Sequence, residues 1–101
     1  MKDMLLYEKM QDLYLIQTCR KFREEGDFLL IATPGLEVLH FNEVAKSFYL
    51  KISEKKQLKF LVKEMLQEYD VEMSTLVSDL LNLIRQFQWY GIIEIKKNKY
   101  S

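Results

Sequence analysis

The sequence predicts an α+β fold, and three observations carry the prediction. Apolar residues recur with a period of two up to Phe41 and with a period of 3.6 beyond Asn42. Gly26, Pro34 and Gly35 lie close together early in the chain, whereas positions 36–90 contain neither Gly nor Pro, so turns are concentrated ahead of a helix-compatible stretch. The length, 101 residues, suits a single core that buries roughly 60–70% of the unfolded surface.

In chain order, residues 1–13 come first, where Met4, Leu5, Tyr7, Met10 and Leu13 fit a short amphipathic helix or a terminal segment that pairs with a second copy of the chain. From 14 to 22, Tyr14, Ile16, Thr18, Arg20 and Phe22 alternate with Leu15, Gln17, Cys19 and Lys21, which predicts the first arm of a hairpin. Arg23-Glu24-Glu25-Gly26-Asp27 is its turn and 28–32 its second arm. Thr33-Pro34-Gly35 then supplies a turn in which Pro fixes φ and Gly is free to take a positive one, and 36–41 makes a third strand in meander order.

Asn42 predicts a helix start, since its side-chain oxygen can accept from open backbone N–H groups and Glu43 suits the positive end of the helix dipole. Val44, Phe48 and Ile52, flanked by Ala45 and Tyr49, form its inner face. A second helix carries Leu58, Leu61, Val62, Met65, Leu66 and Tyr69, starting between 53 and 57. The third runs from Ser74 as cap to Gly91 in the position after the C-cap. A short closing strand over 92–95 follows. The expected organisation is thus an extension at 1–13, one domain at 14–95 and a basic tail at 96–101 with Lys96, Lys97 and Lys99.

Composition excludes several function classes. Fifteen basic and fifteen acidic side chains cancel, leaving no global field to hold a nucleic acid or an anionic membrane. The longest apolar run, 28–32, is far short of the ~20 residues that cross a bilayer, and Met1-Lys2-Asp3 has no signal-peptide pattern, so the expected location is the cytoplasm. One cysteine and one histidine leave no internal disulfide and too few soft ligands for zinc. Cys19 has no base near it in sequence and reads as a small buried apolar side chain; His40, at a strand end beside Phe41, reads as a hydrogen-bonding or peptide-contacting group. Glu64, Glu68, Asp70 and Glu72 read as a solvated face. Neither a catalytic constellation nor a Gly-rich phosphate loop appears, and the expectation is a protein that is not an enzyme and needs no cofactor or metal.

Strand, strand, strand, helix, helix, helix, short strand is the order of a winged helix-turn-helix with an N-terminal sheet. DNA binding is therefore the alternative reading. Its recognition helix would be a poor reader of bases, because Arg85 is the only cation between Ser74 and Tyr90 and Asp79 stands against it, although Lys55, Lys56, Lys59 and Lys63 could touch phosphates.

Several motifs, taken in order, resemble the PqqD-like proteins, the RiPP precursor peptide recognition elements. They are the charged Arg-Glu-Glu-Gly-Asp turn, the strand Phe28-Leu29-Leu30-Ile31, the junction Val38-Leu39-His40-Phe41-Asn42-Glu43-Val44-Ala45, then Tyr69-Asp70-Val71 at the end of the second helix and Gly91-Ile92-Ile93 after the third. The chain departs from the family pattern at Phe41, where Leu is usual, and at Ser53-Glu54-Lys55-Lys56, where Asp-Gly is common. The resemblance implies a cytoplasmic chaperone that binds the leader of a ribosomally made precursor peptide and presents it to a modifying enzyme, often a radical SAM protein. It also implies that the leader adds as a strand beside the third strand, in a groove lined by Glu37, Val38, Leu39, His40 and Phe41 and, on the third helix, by Leu76, Asp79, Leu83 and Gln86.

Overall fold

The computed structural model describes residues 2–53 and 55–98. Along the chain come α1 (Lys2–Met10), β1 (Tyr14–Gln17), β2 (Phe22–Glu25), β3 (Phe28–Ala32), β4 (Val38–Phe41), α2 (Glu43–Ile52), α3 (Leu58–Glu68), α4 (Met73–Trp89) and β5 (Ile93–Lys96). The fold is α+β, with β2, β3 and β4 in an antiparallel meander and β1 and β5 in a separate antiparallel ribbon. Among the described residues it departs from the expected winged helix-turn-helix in having four helices, not three, and in dividing its strands between two sheets.

The expected first strand, 14–22, is where the division falls. Leu15, Gln17 and Cys19 all point inward, so the period of two is genuine, but β1 pairs with β5 and only the chain from Phe22 onward pairs with β3. Between them Thr18 donates its N–H to the Ile92 carbonyl and its hydroxyl to that of Gly91, carrying the chain from one sheet to the other. Arg23, Glu24 and Glu25, expected in the turn, belong to β2; the turn itself is Gly26-Asp27, with Gly26 at φ 58° as a two-residue hairpin of type II′ requires. In the next turn Leu36 donates to the Thr33 carbonyl, and the residue with positive φ is Leu36 (67°), not Gly35. A left-handed conformation costs a non-glycine residue about 1 kcal/mol.

The helix starts differ in kind. Asn42 caps α2 as expected, its side-chain oxygen accepting from the Ala45 N–H at 3.0 Å. α4 begins one residue before Ser74, with Glu72 in the cap position and no side-chain cap bond. At its far end Gly91 (φ 71°) donates to the Gln88 carbonyl and Ile92 to that of Phe87, the paired bonds of a Schellman motif. α1 packs against α4. Tyr7 is buried in the core, and Met4, Leu6 and Met10 pack against it, so most of the apolar surface expected to be free for a second chain is used within this one.

Helices α2 and α4 meet the inner face of the meander around an aromatic cluster, and α3 packs against both helices. Phe87 has its ring centroid 5.1 Å from Phe41, 5.3 Å from Tyr49 and 6.1 Å from Phe48, all four side chains being buried. The Tyr49 hydroxyl lies 2.8 Å from the Cys19 carbonyl oxygen and 2.9 Å from that of Ile92, which ties α2 to the link between β1 and β2 and to the start of β5; burial pushes its phenol well above the ordinary value.

The acidic cluster at the end of α3 is more than a solvated face. Glu64 pairs with Lys56. Glu68 accepts from Lys51 and from the Ser47 hydroxyl on α2, and these contacts, the Lys51 bond foremost, hold its carboxyl below the usual value of 4.5. A depressed folded-state pKa contributes stability above the unfolded-state value and loses it as pH falls through the folded one. Glu68→Gln should therefore be less stable than the native chain at pH 7. The difference should shrink to nothing as pH falls through the lowered folded-state value of Glu68, as parallel thermal melts would show.

Candidate functional site

Backbone direction in β4 defines the site. β4 pairs with β3 through Leu29–Phe41, Leu30–His40, Ile31–Leu39 and Ala32–Val38, and the sheet ends there. Just past that ladder the Thr33 N–H donates to the Glu37 carbonyl at 2.8 Å. Antiparallel pairs alternate between exchanging backbone bonds and not, so Ile31–Leu39 and Leu29–Phe41 are the bonded pairs. On the other side of β3, Ala32 donates to the Lys21 carbonyl, which fixes the same alternation independently. Val38 and His40 consequently turn their N–H and C=O groups to the open edge, and Leu39 and Phe41 turn theirs to β3.

Side chains alternate as well. Phe41 is buried and Leu39 half-buried on the core side, whereas Val38, 61% exposed, and His40 point to the outer face. Past the end of β4 lies a cleft of about 300 Å³ walled by Asn42, Val44, Asp79, Asn82, Leu83 and Gln86. Leu83 and Val44 are its half-buried apolar surfaces, and Asp79, Asn82 and Gln86 are exposed polar groups along α4. Phe41, its ring tilted against that of Phe87, links the strand to the helix behind the cleft. An edge with free donors and acceptors beside a cleft with an apolar floor can hold an extended peptide: backbone bonds set its register and the cleft takes an alternate side chain.

Of the residues expected from sequence, Asp79, Leu83 and Gln86 come together at the cleft, and Val38 and His40 at the edge. Glu37 is exposed just before β4. Leu76 is 3% exposed and lies with Val77, Leu80 and Ile84 in the core, so it forms no part of the cleft wall. Asn42, Val44 and Asn82 were not expected there. The sequence marks Asn42 as a cap and Val44 as core, while Asn82, three residues from Asp79, has a spacing that could mark it. Cys19 is buried with its thiol donating to the Ala32 carbonyl at 3.1 Å. Lys59 pairs with Asp12 and Lys56 with Glu64, which engages two of the four lysines a DNA backbone would need. Lys99 and Glu54 lie outside the described residues.

No protein-family model and no curated protein matches the chain. Among solved structures it is similar to TbiB1, determined in complex with the TbiA(beta) leader peptide, with a TM-score of 0.67 over 72% of this chain and 86% of that one. The two share a fold. Sequence identity is 18%, so the likeness speaks for architecture and leaves the residues of the cleft to be argued from this chain. Among the described residues no helix is long and apolar enough to cross a membrane.

Proposed function

We propose that this protein binds the leader segment of a ribosomally synthesised precursor peptide, as a strand added to β4, and presents the rest of that peptide to a modifying enzyme in the cytoplasm. The observation that carries the reading is the free edge of β4, where the outward backbone of Val38 and His40 adjoins the cleft at Asp79, Leu83 and Gln86. Sharing a fold with a protein solved with a leader peptide bound supports it, as do the motifs that resemble PqqD-like proteins. In this reading the domain does no covalent chemistry and needs no cofactor, and the enzyme it serves belongs to a class such as radical SAM proteins. Glu37, Leu39 and Phe41 act by shaping the strand, not by touching the leader.

Asp79 supplies the test. It is exposed on the cleft wall, and reversing such a charge rarely alters stability by more than about 0.5 kcal/mol. Asp79→Lys is expected to weaken binding of a fluorescein-labelled synthetic precursor leader by about tenfold, roughly 1.4 kcal/mol, at nearly unchanged Tm. Leader affinity should also depend only weakly on salt. Unchanged affinity in Asp79→Lys, or binding to duplex DNA that falls steeply with salt, would overturn the reading.

A further inference from the structure

The outer face of the meander, opposite the helices, carries a central apolar strip where an antiparallel sheet facing water would be polar, flanked by Arg23 and Glu25 of β2 and His40 of β4. β3 is the central strand and reads Phe-Leu-Leu-Ile-Ala throughout. Leu29 and Ile31 point into the core, while Phe28, 56% exposed, and the half-buried Leu30 face outward beside Val38 of β4. A strand apolar on both sides is the pattern of one covered on both sides. Among the described residues only one side is covered.

Charge on that face is divided between its two ends. Arg20 and Lys21, both exposed, line the clefts beside Ala32 and Val38 at the end near the β3–β4 turn. Glu25 and Asp27, also exposed, mark the other end, at the β2–β3 turn, and Arg23, level with Leu30 and ion-paired with Glu25, lies between the two ends. We propose that the face is covered by the same face of a second copy of this chain, related by a two-fold axis that crosses the strands between Leu30 and Phe28. That operation sets the cationic end of each copy over the anionic end of the other, with Arg23 over Glu25, while Phe28 meets Leu30 between them. A partner of uniform charge would be repelled at one end. A formal net charge of zero removes long-range repulsion between copies.

The size of the face sets the strength. Three strands ~4.8 Å apart and five residues long at ~3.4 Å per residue offer roughly 250 Å², against about 800 Å² per partner in a standard stable interface. The self-association is therefore weak and reversible. It leaves the edge of β4 free and does not rest on the leader-peptide reading.

The test is a dilution series of the full chain followed by amide NMR, from about 20 μM to about 1 mM. Concentration-dependent shifts are expected in 28–32 and 38–40. The double variant Arg20→Glu with Lys21→Glu, anionic at both ends, should lose them, as should the double variant Glu25→Lys with Asp27→Lys, cationic at both ends. An equimolar mixture of the two variants should recover them, since each end then meets its opposite. Absence of concentration dependence, shifts that map instead to α1, or a mixture that behaves like its components would each overturn the proposal.

Discussion

Phe87→Ala is expected to destabilise the fold by about 3–5 kcal/mol, the range for deleting a fully buried ring and leaving a cavity behind. The magnitude follows from position: Phe87 is fully buried and packs its ring against Phe41, Phe48 and Tyr49, so one truncation removes contacts from β4 and α2 together. A domain of this size loses about 15 °C or more in Tm for such a change, and its total stability of roughly 5–15 kcal/mol leaves some variants partly unfolded at 37 °C. Thermal and denaturant unfolding would check it. Because Phe41 rests on Phe87, leader affinity should fall in this variant even where it remains folded.

Prolines at adjacent positions of β4 separate binding from folding. His40→Pro removes an N–H that faces the open edge, a position where sheets tolerate proline, and its neighbour Leu39 is already extended as a residue before proline must be. The variant should stay folded and lose leader binding altogether, with His40→Ala retaining most of it. Leu39→Pro removes an N–H bonded to β3 and should cost about 3 kcal/mol or more, opening the sheet. Circular dichroism and a leader titration on the three proteins distinguish these outcomes. A His40→Pro chain that binds normally would show that the leader does not pair there.

The parts of this fold readable from sequence are those set by near neighbours. Asn42 announces the change to helix because its cap bond reaches only to Ala45, and Gly91 ends α4 through bonds to Gln88 and Phe87. Strand partners are a different matter. The alternation over 14–22 is the same whether β1 pairs with β3 or with β5, and the choice is made by chain that arrives some seventy residues later. The β3–β4 turn shows a subtler limit: a glycine was present to take the left-handed position, yet the turn's hydrogen bonds place it on Leu36. At the cleft, helical spacing correctly groups Asp79, Leu83 and Gln86, but the same spacing includes Leu76, whose side of α4 belongs to the core. Whether a helical apolar residue faces a cleft or a core depends on what packs beside it, as α1 does here.

Amide hydrogen exchange along β4 tests strand addition most directly. In the free protein Leu39 and Phe41 should be protected by their bonds to β3, while Val38 and His40, turned to the open edge, should exchange quickly. Saturation with a synthetic precursor leader is expected to slow Val38 and His40 markedly and to change Leu39 and Phe41 far less. Val38 and His40 amides that still exchange quickly in the saturated complex would contradict the added strand.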